Sequence, residues 1–213
     1  MSGKALKFTG KSYLKASKAL SFGTGDYSFS FWIQDFGTPQ FTYVMGNQDY
    51  GVGEKYRGTG LMYASADHLY LAMGDGPSAY AKTNQSPTEK NAWVHVAYVV
   101  DRDGGIQLYK NGELLETAAI PENKRGETVD SDQIFQIGAG GTSWMENNHF
   151  ALDEVVLYAS ALSAAQDLAE ITDALQADPD TKAPQNHAST ATTYGIGNAA
   201  SYGHVRLSDA TGS

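Results

Sequence analysis

The run Trp93–Thr117, WVHVAYVVDRDGGIQLYKNGELLET, limits the possible folds more than any other segment of the chain. Val94, Val96, Tyr98 and Val100 alternate with Trp93, His95, Ala97 and Val99. Successive strand side chains point to opposite faces, so this pattern predicts a strand covered on both sides. Asp101-Arg102-Asp103-Gly104-Gly105 supplies a turn, because glycine reaches positive φ without a Cβ clash. Ile106–Tyr109 then runs back to Asn111-Gly112, the pair that best fits a two-residue hairpin, and Glu113–Thr117 returns. Three strands joined by two tight turns make an antiparallel meander.

The rest of the chain extends the same pattern. Ala5–Phe8 and Tyr13-Leu14 read as short strands, and Ser21–Asp26 as a turn into Tyr27–Gln34. Tyr27, Phe29, Phe31 and Ile33 share one face of that strand and are expected to point inward. Further strands are expected at Phe41–Met45, Leu61–Tyr63, His68–Met73, Ala79–Lys82, Ile134–Ile137 and Leu152–Tyr158. About a dozen short strands with almost no helix predict an all-β fold of two stacked antiparallel sheets, a jelly-roll sandwich. With 23 glycines and 13 tyrosines the chain suits a β protein rich in turns and aromatic-lined loops.

Three regions follow from these patterns. Residues 1–176 form the sandwich, which ends in one helix. Ser163 is a good N-cap with Gln166 three residues on, and Leu168, Ile171 and Leu175 form a single apolar stripe to lie against the sheets. Residues 177–191, ADPDTKAPQNHASTA, are polar with two prolines and read as a linker. Residues 192–213 form a short tail with Tyr194-Gly195 repeated as Tyr202-Gly203, followed by the strand-like Val205-Arg206-Leu207. The tail is too small to bury a core, so it is expected to pack on another subunit, continue into a longer chain or stay disordered.

Charge and composition narrow the function. A net charge of −9 repels phosphate backbones, and no basic run is interleaved with aromatics, so no nucleic-acid partner is expected. No stretch of about 18 apolar residues is present, so no membrane insertion is expected either. The N-terminal MSGKALKFTGKSYL lacks the apolar core of a signal peptide, so export would depend on another route, such as particle assembly and lysis. The absence of cysteine removes disulfides, thiolate metal sites and cysteine nucleophiles together.

Several segments in register resemble the laminin G-like, or concanavalin A-like, lectin/glucanase family across roughly residues 4–172. They are Ala5–Gly10, the run Phe22–Trp32, Trp93–Ala97, Leu108–Gly112, and Leu152–Tyr158 followed by Ala161-Leu162-Ser163. The resemblance implies a jelly-roll sandwich serving as a carbohydrate- or protein-binding module. One departure is Ala151, where the family usually has a glycine two residues ahead of its Asp-Glu pair. The tail Tyr194–Asp209 resembles short segments of bacteriophage tail and fibre proteins. That likeness implies a virion setting, with an extracellular or cell-surface location as the alternative.

The enzymatic members of such a family place carboxylates on one strand face, and retaining chemistry needs them about 5–5.5 Å apart. Strict alternation puts Glu113 and Glu116 on opposite faces, and Asp153 and Glu154 likewise, so no catalytic residues are assigned. Alternation also places Asp153 beside Val155 and Leu157. There a carboxylate must be hydrogen-bonded or bind a cation. The family resemblance implies calcium at Asp153, and backbone N–H donors are the alternative. Asp101–Gly104 fails the calcium-loop spacing, since Ile106 stands where glycine is needed and Gly112 where glutamate is needed. The five histidines (68, 95, 149, 187 and 204) lack ligand spacing, and no nucleophile elbow supports a serine hydrolase.

Sugar recognition needs flat aromatic faces together with amides and carboxylates. Asn47, Gln48, Asp49 and Tyr50, then Tyr56 and Arg57, and Trp144 with Asn147 and Asn148 are the candidate exposed loop residues. The alternative is that Tyr56 and Trp144 plug the sandwich ends. The expected function is therefore a non-enzymatic recognition module of a phage or prophage tail, bound to cell-surface glycan and to other virion proteins, as a homo-oligomer such as a trimer. A decoration or assembly module without sugar affinity is the second reading, and a glycoside hydrolase or lyase the third.

Overall fold

The computed structural model describes residues 5–39, 41–48, 56–65, 68–76, 78–139, 148–162 and 205–207. In chain order the strands are β1 (Leu6–Gly10), β2 (Leu14–Lys15), β3 (Tyr27–Asp35), β4 (Thr42–Gly46), β5 (Gly58–Ser65), β6 (His68–Gly74), β7 (Ala79–Lys82), β8 (Trp93–Asp101), β9 (Gly105–Lys110), β10 (Glu113–Ala118), β11 (Gln136–Ile137), β12 (Asn148–Tyr158) and β13 (Val205–Leu207). The larger sheet has the order β1-β12-β3-β8-β9-β10, with β13 on β12, and the smaller has the order β2-β11-β4-β5-β6-β7. All pairings are antiparallel except that of β13 with β12. The only helical element among the described residues is a 3₁₀ turn at Glu122–Lys124. The helix expected from Ser163 and the linker lie outside the described residues.

The core is the space between the two sheets. Phe29, Phe31, Val96 and Tyr98 are each at most 1% exposed and meet Met45, Leu61, Leu69 and Leu71 of the smaller sheet in one cluster. Phe22, Tyr27, Phe29 and Phe135 add an aromatic group at one end, with Phe29 and Phe135 stacked at 6.1 Å. The meander forms as expected. Asn111 and Gly112 both take positive φ (49° and 84°), the primed turn whose twist suits a two-residue hairpin.

The outer face of the larger sheet is also covered, as the β8 pattern requires. Ser28, Trp32, Gln34, His95, Ala97 and Val99 are all buried. Ala161 and Leu162 pack over Ala97, Val99 and Tyr109, and Ser28 Oγ ties that segment down by donating to Ser160 O and accepting from Leu162 N. His95 Nε2 lies 3.0 Å from Ser30 Oγ, and its ring meets Trp32 edge-on at 5.4 Å. His95 thus serves to pack the covered outer face.

Two β-bulges correct the alternation read from the sequence. On β12, Asp153 pairs with Trp32 and Val156 with Ser30, so β12 spends three steps where β3 spends two. Glu154, exposed and at φ 48°, occupies the extra step. Asp153 therefore faces outward with Trp32, and only after the bulge do Val155 and Leu157 turn into the core. On β10, Leu114 pairs with Tyr109 and Glu116 with Leu108. The extra residue Leu115 brings Glu113 and Glu116 to the same face, not opposite ones.

The tail supplies a further finding. β1 pairs with β12 only along Asn148–Leu152, and β13 takes the stretch of β12 that follows the bulge, Val155–Leu157. This three-residue strand of the tail pairs with the chain's own larger sheet.

Candidate binding surfaces

The β4–β5 connection begins with side chains that bond inward. Asn47 Oδ1 accepts from Thr59 N at 2.9 Å and its Nδ2 donates to Val129 O at 3.3 Å. Gln48 Oε1 accepts from Tyr43 OH at 3.1 Å while its Nε2 donates to Tyr56 O at 3.2 Å. The strands must be close for this to work. A Cβ at Gly58 would stand 2.8 Å from Asn47 Oδ1, and one at Gly60 2.8 Å from the Tyr43 ring. Asn47 and Gln48 are 1% and 0% exposed, which corrects their expected place in a glycan-facing loop. Their amides satisfy the strand ends instead.

Asn148 is corrected in the same way. It is buried, and its Nδ2 donates to Ser12 O and Gly138 O at 2.6 and 2.7 Å, joining the start of β12 to two turns. Asp49, Tyr50, Trp144 and Asn147 lie outside the described residues. Tyr56 is half-buried at φ 71°, and its carbonyl rests directly on Gly74. Its neighbour Arg57 is half-buried too. Of the expected sugar-contact residues, Tyr56 and Arg57 are thus the described ones that reach the surface.

Asp153 is 3% exposed and its Oδ1 accepts from Glu154 N at 2.9 Å. This is the backbone-donor alternative of the sequence reading. Among the described residues no three His, Cys, Asp or Glu side chains group to hold a metal.

Sequence reasoning missed a charged clamp on the Ser21–Asp26 turn. Asp130 accepts from Ser21 Oγ at 2.6 Å, Phe22 N at 2.8 Å and Gly23 N at 3.0 Å. Arg102 is 6% exposed. It donates from Nε to Gly25 O at 3.0 Å, from Nη2 to Gly23 O at 3.1 Å and from Nη1 to Tyr80 OH at 3.2 Å, and its backbone N–H reaches Asp26 at 2.8 Å. Arg102 stands in a tight turn of charged residues, where an exposed side chain is the ordinary expectation, so no sequence signal marked it. Partial burial works to raise the Asp130 pKa. The Ser21 hydroxyl and the Gly23 and Phe22 amides outweigh it, helped by Arg102, and hold the carboxyl below its usual 3.8. A depressed carboxyl stabilises the fold above its unfolded value and loses that contribution as pH falls through the folded one. Asp130→Asn is therefore expected to be destabilising at neutral pH, with the gap from wild type closing in acid below about 3.8. Urea unfolding across pH checks this, and a gap unchanged with pH would refute it.

The second surface lies on the flank where both sheets end. The order of strands leaves β7 and β10 as neighbouring free edges, and between them is an open cleft of about 440 Å³ lined by residues 79–82, 84 and 116–119. Glu116 bridges the sheets there, accepting from Asn84 N at 2.8 Å, Asn84 Nδ2 at 3.1 Å and Gln85 N at 2.8 Å. Both oxygens of Glu116 are engaged by these amides.

Two stacked antiparallel sheets of this order place the chain in the class of jelly-roll-like β-sandwiches. The family model described as the concanavalin A-like lectin/glucanases superfamily, of laminin G type, matches residues 8–166, and the chain belongs to that family. No relative is found among curated proteins. Among solved structures, the receptor-binding domain of botulinum neurotoxin D is similar at TM-score 0.58 and 17% identity, covering 79% of this chain and 44% of that one. The binding domain of Paraclostridial mosquitocidal protein 1 gives 0.56 and 16%, covering 80% and 46%. A botulinum neurotoxin type C structure, whose cell entry is described as dependent on two ganglioside molecules, gives 0.53 and 13%, covering 79% and 46%. This chain spans less than half the length of each, and likeness at such identity establishes the shared sandwich alone.

Proposed function

We propose that the chain is a non-enzymatic recognition module that binds cell-surface carbohydrate through its loop end, carried on the tail or surface of a phage or prophage particle. The observation that carries the carbohydrate part is the lectin and glucanase family match over residues 8–166. The engagement of both Glu116 oxygens by backbone and amide N–H groups supports binding over hydrolysis. Gangliosides named with the type C toxin add support for a glycan partner. The likeness of Tyr194–Asp209 to phage tail segments supports the virion setting. Repetition in a homo-oligomer would turn weak sugar contacts into avidity.

In this reading Asp49, Tyr50, Tyr56, Trp144 and Asn147 contribute the loop-end contacts. An array of host and bacterial surface glycans probed with the full chain tests it. Binding is expected in at least one glycan class, weakened by Trp144→Ala. No signal in any class would sink the reading and leave assembly with other virion proteins in its place. Release of reducing sugar from a bound polysaccharide would overturn the non-enzymatic part.

A further inference from the structure

On the side away from β3, β12 is paired by two different strands. β1 covers Asn148–Leu152, and beyond the Asp153-Glu154 bulge β13 takes over at Val155–Leu157. Val155 and Leu157 are 1% and 5% exposed and belong to the core. Without a neighbour that stretch would be a sheet edge lying directly over apolar side chains, a template for another strand. It forms a slot for an extended segment, read through main-chain hydrogen bonds and alternate side-chain positions. The register shows what the slot accepts. Val205 stands beside Val155, Arg206 beside the half-buried Val156, and Leu207 beside Leu157. An apolar residue is placed next to each core residue, and the charged one falls between them.

Three points make the occupant exchangeable. β13 holds the slot with three residues, the short end of strand length, and its pairing is parallel, the less stable kind per residue. Residues 163–204 join it to Leu162, and a connection of about 40 residues can reach roughly 140 Å at full extension. The concentration advantage of a tethered strand over the same strand on a neighbour shrinks as the tether lengthens. A second copy of the chain presents the same Val205-Arg206-Leu207, so exchange between copies keeps every contact in the slot.

We propose that the Val155–Leu157 edge is an assembly site, where β13 of a second copy of this chain docks when copies are concentrated. The inference gives the homo-oligomer a defined contact and does not depend on what the loop end binds.

The chain has no cysteine, so introduced thiols report the contact without background. Full-length Val156→Cys and full-length Arg206→Cys, a pair in register, are mixed in equal amounts and oxidised mildly over a range of concentrations. A disulfide-linked dimer joining the two variants, read by mass, is expected to rise with concentration. It should be at least about tenfold more abundant than when the exposed Glu122→Cys replaces Val156→Cys. Adding Val205→Asp and Leu207→Asp to the Arg206→Cys chain is expected to abolish it, because charges then stand beside core residues. Unfolding midpoints matched to wild type confirm that the variants are folded. A link that forms only within the double variant Val156→Cys/Arg206→Cys, at every concentration, would overturn the proposal and leave β13 fixed on its own sandwich. So would a dimer equally abundant with Glu122→Cys, or one indifferent to the aspartates. No link of either kind would remove the slot itself, while the glycan array result stands separately.

Discussion

Gly74→Ala is expected to destabilise the sandwich by about 3 kcal/mol, near the upper end of the cost of overpacking a core. A Cβ at Gly74 would lie 1.9 Å from Tyr56 O and 2.7 Å from Tyr56 C, and backbone atoms cannot rotate out of the way as a side-chain tip can. Gly74 pairs with Gly58 across β5 and β6, and the β6–β7 ladder already shifts register between Met73 and Gly74. The pressure must therefore fall on the Tyr56–Arg57 segment. Denaturant unfolding should show the loss, and amide exchange should quicken at Tyr56–Gly60. Gly126→Ala is the control, because nothing lies within 4 Å of a Cβ there and its φ is ordinary. Equal stability of the two variants would mean that Tyr56 does not rest on Gly74.

Arg102→Met is the second large effect, expected at about 2–3 kcal/mol. Methionine keeps much of the apolar stem but removes donors to Gly23 O, Gly25 O and Tyr80 OH, and the positive charge beside the Tyr27 ring at 5.9 Å. It also withdraws a cation that helps keep Asp130 ionised. The two substitutions Arg102→Met and Asp130→Asn act on one turn, so their costs should not add. Lys110→Ala provides the contrast. Its 2.5 Å pair with Glu89 is exposed and should be worth no more than about 1 kcal/mol. If Arg102→Met costs as little, the guanidinium holds nothing in place.

The sandwich was legible in the sequence because its signals are local. Residues 93–117 carry a period of two, a glycine turn and Asn111-Gly112 within a single run, and β8, β9 and β10 pair in that order. Tyr27, Phe29, Phe31 and Ile33 were assigned inward on alternation alone, and all are at most 1% exposed. Alternation fails where one residue is left out of the ladder. Neither Glu154 nor Leu115 is a glycine or proline, so nothing in the residue type announces the slip, and every face assignment beyond it reverses.

The site was less legible. Asn47, Gln48 and Asn148 have the amides a sugar site needs, and the same amides serve to close the ends of strands. The glycines at positions 46, 58 and 60 were the available clue, since such spacing signals backbones in close approach. The flank cleft left no motif at all. Asn84 and Glu116 are 32 positions apart and meet because β7 and β10 end their respective sheets on the same side.

Glu154 has a consequence for how this lineage can vary in length. Taking that residue away would leave Leu152 inward, Asp153 outward, Val155 inward, Val156 outward and Leu157 inward, an unbroken alternation. Removing Val155 instead would send Glu154 into the inward position that Val155 holds. Shortening by one codon is thus tolerable within Asp153-Glu154 and disruptive at Val155, so natural gaps in this strand should gather at that pair.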